Sequence, residues 1–148
     1  MNNQETMQVY KIEQKKVYEK EKIKITSSIK LANFCKEKIG NNASEALLVI
    51  CLDTKNNIIA YTEMFKGTLN SSIAHPREIY MFALLNNSAR IALSHNHPSE
   101  DITPSKQDNY MTERMREVGE IIGIELLDHI IVSREEEYYS YREESKLM

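Results

Sequence analysis

Apolar positions recur at helical spacing in three segments of the chain. The first follows Ser27 and Ser28, which offer an N-cap, and ends at Gly40. The second begins at Pro76, a residue suited to the first turn of a helix, and continues as far as Asn86-Asn87. The third begins at Thr103-Pro104, an N-cap followed by a first helical proline, and runs to about Ile122. These patterns predict three helices.

Strand patterns lie between and after these helices. The continuous apolar run ALLVICLD is typical of a strand buried on both faces, and the turn at residues 55–57 joins it to NIIAYTEMF in a β-hairpin. ARIALSH and LLDHIIVS predict two further strands, and the tyrosine-rich EYYSYREES predicts an edge strand more readily than an interface. We therefore predict an α/β fold, a three-layer α/β/α arrangement around a mixed central sheet.

Composition limits the function classes. The 148 residues are 41% hydrophobic and 28% charged, which is ordinary for one globular domain. No apolar run approaches the about 18 to 20 residues of a membrane span, and the N-terminus lacks the pattern of a secretory signal, so we expect a soluble, cytoplasmic protein without a membrane partner. Two isolated cysteines, Cys35 and Cys51, are best interpreted as reduced packing residues. The sequence does not indicate an oligomeric state.

Charge does not favour a nucleic-acid partner. The formal net charge is −3, and the six lysines of residues 11–24 alternate with three glutamates. A solvated surface explains that segment better than a nucleic-acid arm does. We treat residues 1–24 as an N-terminal strand and turn extension and residues 25–148 as the domain.

Candidate chemistry is concentrated in SHNHPSEDITPSKQD, residues 94–108. His95 and His97 are two residues apart at a strand end, so both imidazoles can point to one face. Ser105 and Asp108 are three residues apart at a helix start and share a face as well. Two imidazoles and a carboxylate match catalytic zinc, which leaves a fourth position for water, although iron, manganese or nickel accept these ligands too. On spacing alone, a polar loop with capping residues is an equal alternative.

These residues also carry a family resemblance. HxHx(7)SxxD, formed here by His95, His97, Ser105 and Asp108, resembles the signature of the JAB/MPN (JAMM) metalloprotease superfamily. Five segments narrow the resemblance to its bacterial RadC branch, over roughly residues 27–141: FKGTLN, HPREIY, ALSHNHPS, TPSKQD and LLDHIIVS. The resemblance implies a cytidine-deaminase-like α/β/α fold. It also implies one zinc ion held by His95, His97 and Asp108.

The resemblance further implies an activity and its catalytic residues. JAB/MPN enzymes cleave peptide or isopeptide bonds, often in ubiquitin-like conjugates, so a protein or peptide substrate is expected. The superfamily's glutamate on an earlier strand is matched by position to Glu63, four residues before the glycine of the KGT turn, and Glu45 is the weaker candidate. Without the resemblance, Glu63 is equally well a solvated strand carboxylate. Glu63 would take a proton from the attacking water and return it to the leaving amine, and Ser105 would donate to the oxyanion.

The sequence also leaves two alternative functions open. RadC proteins were named for a supposed part in DNA repair, and the helix-hairpin-helix domain of longer members does not occur in this sequence. A DNA-repair protein or metal-dependent nuclease is therefore an alternative, as is a metal-binding scaffold without catalysis. His75 and His129 are interpreted as cap or core histidines rather than as residues that support the ligands.

Overall fold

A mixed β-sheet lies between helices in the computed structural model, which describes residues 3–15, 19–66 and 75–147, with the backbone alone at residues 65 and 66. The order of the elements is α1 (Ser28–Ile39), β1 (Ala46–Leu52), β2 (Ile58–Lys66), α2 (Pro76–Leu85), β3 (Arg90–Asn96), α3 (Lys106–Ile122), β4 (Glu125–Val132) and β5 (Tyr139–Ser140). In the sheet the strand order is β2-β1-β3-β4-β5. β3 and β4 are parallel, and the other neighbours are antiparallel.

The side chains of β1 supply both faces of the sheet, which confirms the prediction from its continuous apolar run. Every residue of β1 is buried. Leu48 and Ile50 pack in a core with α1, whereas Leu47 and Val49 pack in a second core with α2 and α3. The predicted three-layer α/β/α fold with a mixed sheet is thus confirmed. Cys35 lies in the first core and Cys51 in the second, and both are free thiols, as predicted.

The predicted bounds of α1 and α2 are confirmed by their caps. The hydroxyl of Ser27 accepts the amide hydrogen of Lys30 at 3.2 Å, and Gly40 is the C-cap of α1. In α2, Pro76 is the first residue and His75 is the N-cap. The helices therefore begin where capping chemistry in the sequence places them.

The start of α3 differs from the prediction at Thr103-Pro104. The helix begins at Lys106, and Ser105 is its N-cap. Ser105 and Asp108 form a capping box, in which the Ser105 hydroxyl accepts the Asp108 amide hydrogen at 3.0 Å and the Asp108 carboxylate accepts the Ser105 amide hydrogen at 2.8 Å. Two reciprocal bonds satisfy two free helix-start groups, which a single threonine cap does not. The Thr103 amide instead donates to Asp101.

The segments beyond the central strands are tied back to the sheet. Ile25 donates to the carbonyl of Asn56 at 2.8 Å, and Ile58 donates to that of Ile23 at 2.8 Å, so the chain on either side of residue 24 contacts the hairpin. The division at residue 24 stays a prediction.

The expected edge strand is present as β5, although only two residues long. Residues 67–70 of the FKGTLN segment lie outside the described residues. Among the helices that the structure describes, none is long and apolar enough to cross a bilayer.

Candidate metal centre

Two histidines converge at the carboxyl end of β3. His95 is the penultimate residue of the strand and is buried, and His97 follows the strand directly. The main chain continues beside β4, because the His97 amide donates to the Val132 carbonyl at 2.9 Å. The two Nε2 atoms lie 2.9 Å apart. The alternation of a strand therefore brings both imidazoles to one point, as their spacing predicts.

Asp108 completes the group from the first turn of α3. Its two carboxylate oxygens lie 3.2 Å from the Nε2 atoms of His95 and His97 respectively. One potential ligand atom from each of the three residues lies within 4.8 Å of the others. The capping box fixes the carboxylate, because Oδ2 accepts the amide hydrogen of Ser105. The described residues thus place one carboxylate and two imidazoles around a single point.

The chemistry of these donors fits a divalent cation. The Nδ1 atom of His97 lies 2.6 Å from the carbonyl oxygen of Asp101. A carbonyl only accepts, so Nδ1 carries a hydrogen, and in the neutral form of His97 the Nε2 atom presents a lone pair to the carboxylate of Asp108. A lone pair facing a carboxylate is favourable only when a proton or a metal ion lies between them. Two nitrogens and one carboxylate with a fourth position open are the donor set of catalytic zinc.

The neighbouring histidines keep the Asp108 carboxylate ionised, which is the form that can bind a cation. Burial acts to raise the pKa of Asp108, but hydrogen bonds with His95 and His97 outweigh it and hold the pKa well below its usual range. The pKa of His97 is raised, chiefly by its hydrogen bond to Asp108; burial opposes this, while the Asp101 carbonyl and the charge of Glu45 add to it. The site therefore attracts a positive charge.

Glu45 belongs to the same face as the ligands. Leu47 of β1 lies opposite His95 in the antiparallel pair. Continuing that register by two residues places Glu45 opposite His97, and residues two apart in an extended chain share a face. The effect of Glu45 on the His97 pKa agrees with this position, and the Glu45 side chain is half-buried. The register and the charge effect thus favour a position near the candidate ligand His97 for Glu45, the weaker of the two glutamate candidates.

Glu63 lies on the other face of the sheet. It pairs with Leu48, the neighbour of Leu47, and so points toward the α1 layer. Tyr61, two residues before it, packs edge-on against Phe34 of α1 with ring centroids 5.3 Å apart, which confirms the facing. The structure therefore does not bring Glu63 to the ligands, and its role as the base stays a prediction against which the register argues.

Ser105 lies at the rim of the group. Its hydroxyl oxygen accepts the amide hydrogen of Asp108, which leaves the hydroxyl hydrogen for another acceptor. The side chain is exposed. Its position is compatible with the predicted oxyanion contact.

Comparison with known proteins assigns the family. A family model described as "RadC-like JAB domain" matches residues 25–147. The chain belongs to the RadC family.

Curated relatives agree with this family at high identity. A UPF0758 protein of Thermotoga maritima is 44% identical over 124 residues, which cover 84% of this chain and 55% of the relative. A UPF0758 protein of Enterococcus faecalis is 48% identical over 133 residues, covering 88% of this chain and 57% of the relative. One of Clostridium botulinum is 51% identical over 112 residues, covering 76% and 49%. The chain spans about half the length of these relatives.

Asn96 is a site residue of the RadC-like domain that the sequence did not reveal. Its side chain accepts the amide hydrogen of Ala46 at 2.7 Å and donates to the carbonyls of Asn42 and Ser44 at 3.2 and 3.0 Å. These bonds hold the segment on either side of Glu45. A buried polar residue between two ligands of a strand was the available signal, because such an amide must be satisfied.

His129 was predicted to be a core or cap histidine, and it is both buried and in contact with a ligand. Its Nε2 lies 2.7 Å from Nδ1 of His95. The parallel pairing of β3 with β4 produces this contact, and a single sequence does not reveal strand order. His75 is a cap as predicted, since its Nδ1 accepts the Arg77 amide hydrogen at 3.1 Å.

Proposed function

We propose that this RadC-like domain is a metal-dependent hydrolase that cleaves peptide or isopeptide bonds, with zinc as the favoured ion. The observation that carries the proposal is the convergence of His95, His97 and Asp108 at one point. The register of β1 with β3, continued by two residues beyond the pair Leu47–His95, brings Glu45 opposite His97. A metal site without catalysis needs only the ligands. A carboxylate beside them supplies the general base that hydrolysis requires.

Each side chain then has a defined role. His95, His97 and Asp108 would hold the ion, which when bound supplies Lewis acidity toward a water molecule and a carbonyl group. Glu45 takes the proton of the attacking water and delivers it to the leaving amine. Ser105 donates its hydroxyl hydrogen to the oxyanion as the tetrahedral centre forms. This assignment moves the role of base from Glu63 to Glu45, because only Glu45 shares the face of the ligands.

The proposed substrate is a protein or peptide, including ubiquitin-like conjugates. It rests on the resemblance to JAB/MPN enzymes and on the description of the matching family as a JAB domain. The net charge of −3 gives no attraction to a phosphate backbone, so DNA enters the test as the competing substrate.

A matched pair of substitutions tests the assignment. Glu45→Gln and Glu63→Gln each remove one carboxylate at nearly constant shape, on opposite faces of the sheet. We expect both proteins to bind one equivalent of zinc. Glu45→Gln should lose roughly 10²- to 10⁴-fold in hydrolysis of a peptide or a ubiquitin-like fusion, and Glu63→Gln should stay near the wild-type rate.

Three results would contradict this assignment. The reverse pattern returns the role of base to Glu63. Zinc binding with neither variant impaired in hydrolysis means that neither of these two carboxylates is the base. Zinc-dependent cleavage of short DNA, with peptides and fusions untouched, identifies a nuclease instead.

A further inference from the structure

A buried chain of hydrogen bonds runs behind the ligand His95. His129 of β4 is fully buried and touches Nδ1 of His95 with its Nε2 at 2.7 Å. On the other side of the ring, its Nδ1 lies 2.5 Å from the hydroxyl oxygen of Thr112 in α3. That hydroxyl also lies 2.7 Å from the carbonyl oxygen of Asp108, one turn earlier in the helix. This series of hydrogen bonds thus begins at His95 and ends at Asp108, two of the candidate metal ligands.

The directions of these hydrogen bonds follow from what each group can donate. The Asp108 carbonyl can only accept, so the Thr112 hydroxyl donates its one hydrogen to that carbonyl. Toward His129 the same oxygen must therefore accept, which places a hydrogen on Nδ1 of His129. The His129 ring is fully buried and its two hydrogen-bond partners are an imidazole and a hydroxyl, with no carboxylate among them, so the ring carries a single hydrogen. Its Nε2 consequently has a free lone pair.

That lone pair determines the tautomer of His95. Because Nε2 of His129 accepts, the Nδ1 atom of His95 must donate, and the hydrogen of His95 lies on Nδ1. The Nε2 of His95 then has its lone pair directed at Asp108 and at the point between the ligands. Hydrogen on Nε2 would block coordination there.

Tyr141 holds the middle ring in place. It stacks on His129 with ring centroids 5.1 Å apart and planes inclined by 12°, and it is buried. The Tyr141 hydroxyl donates to Asn109 Oδ1 at 2.7 Å, and this hydrogen bond anchors Tyr141 to α3. His129 therefore cannot rotate freely to exchange its donor and acceptor sides.

We propose that Thr112 and His129 are positioning residues that hold His95 in the Nδ1–H tautomer, with Nε2 free to bind a divalent cation. The inference rests on the metal-binding part of the proposed function and is independent of hydrolysis. In this proposal the Thr112 hydroxyl alone fixes which nitrogen of His129 carries the hydrogen. Without that hydroxyl, the His129 ring has no fixed acceptor at Nδ1 and can carry its hydrogen on Nε2. His95 would then be driven to the Nε2–H tautomer, which does not bind the ion.

The first test measures tautomers in the metal-free full chain. Long-range ¹H–¹⁵N spectra of protein labelled at histidine, at roughly pH 8 and above the usual imidazole pKa, distinguish the two tautomers. We expect Nδ1–H at His95 and His129. His75 is the internal reference, because its Nδ1 accepts a backbone hydrogen and its own hydrogen must lie on Nε2. An Nε2–H signal for His95 in the wild type would overturn the proposal.

The second test removes and restores the hydroxyl. Thr112→Val keeps the shape of this buried side chain, and Thr112→Ser keeps the hydroxyl. By competition with a chromophoric chelator, we expect the zinc affinity of Thr112→Val to fall roughly 10- to 100-fold and that of Thr112→Ser to stay within a few-fold of wild type. His95 in Thr112→Val should show Nε2–H signal. Equal affinity in both variants, or an equal loss in both, overturns the role of the hydroxyl.

Substitutions of His129 test whether another hydrogen-bond acceptor can replace its imidazole. In His129→Gln the amide oxygen can stand where Nε2 stands and accept from His95, whereas His129→Met cannot accept in this way. We expect zinc affinity to be retained better by the glutamine than by the methionine variant, and the reverse order contradicts the proposal. Failure of hydrolysis alone leaves these affinities and spectra unchanged, so it is distinguishable from failure of this inference.

Discussion

The side chain of Asn96 accepts the amide hydrogen of Ala46 at 2.7 Å, which joins the strand of both ligand histidines to the start of β1. Asn96 also donates to two carbonyls of the segment before Glu45. Together with the pairing of β1 and β3, this buried amide holds the segment that carries the proposed base against the strand of the candidate ligands.

Asn96→Asp should separate catalysis from metal binding. The aspartate can still accept from Ala46, but it loses both donor contacts and places an oxygen against two carbonyls. We expect a loss of about 1–3 kcal/mol in the free energy of unfolding and a larger fall in hydrolysis than in zinc affinity. Urea unfolding, zinc titration and peptide hydrolysis measure the three effects. Asn41→Asp, at an exposed position, is the control for the added charge; equal effects of both variants would argue against this role of Asn96.

Zinc binding should weaken on acidification. The pKa of His97 is raised, mainly by Asp108, so below that pKa the ion must displace a proton. In the metal-free protein the His97–Asp108 contact stabilises the fold below the unfolded histidine pKa, and this contribution is lost as pH rises through the folded pKa. The gain in Tm on adding zinc should therefore grow between about pH 5.5 and 8. A gain that is constant over this range in thermal unfolding would contradict the expectation.

Gly119→Ala should destabilise the protein although alanine favours helices. A Cβ at Gly119 would lie 2.5 Å from the carbonyl oxygen of Ile124 and 2.5 Å from the hydroxyl of Tyr80. The backbone carbonyl cannot move aside cheaply, so a clash of about 1–3 kcal/mol exceeds the gain of up to about 1 kcal/mol in helix propensity. Urea unfolding measures the difference. An alanine variant more stable than the wild type would contradict this prediction and show that the backbone after α3 shifts to accommodate the Cβ.

Asp128 should tolerate asparagine better than alanine. Its carboxylate accepts from the backbone amides of His129 and Arg142 at 2.7 and 3.0 Å and from the hydroxyls of Ser140 and Ser28 at 2.6 and 3.1 Å. Asparagine can keep its oxygen toward the two fixed amides, and the hydroxyls can rotate to accept. Alanine leaves the amides unpaired at about 1–3 kcal/mol each.

Hydrogen exchange of residues 139–146 measures this prediction, because β5 and the segment after it are held by Asp128. We expect faster exchange there in Asp128→Ala than in Asp128→Asn. Ser28→Ala, which removes one neutral donor, is the matched control and should change the exchange little. Identical exchange in the alanine and asparagine variants would refute this account.

Local chemistry explains what the sequence could predict. His95 and His97 are two residues apart, and Ser105 and Asp108 are three apart, so each pair's common face follows from strand or helix geometry alone. The helices and strands likewise follow from apolar spacing. The start of α3 was wrong by two residues because a capping box competes with a single cap.

Sheet register explains what the sequence could not predict. A register shift between Leu47 and Leu48 lies beside Glu63, and a slip of one residue exchanges the two faces of a strand. A single sequence does not carry that information, so position relative to the KGT turn favoured Glu63 over Glu45. The contact of His129 with His95 also depends on strand order, which only the folded chain reveals.

The three candidate metal ligands come from 14 consecutive residues, His95 to Asp108, whereas Glu45 comes close to them only when β1 has paired with β3. The three candidate ligands are therefore close in sequence, whereas Glu45 on one side and His129 on the other are positioned by separate strands. Both the proposed base and the proposed support of His95 thus depend on pairing of the whole sheet, and a substitution that disturbs either neighbouring strand should impair the site without changing any ligand.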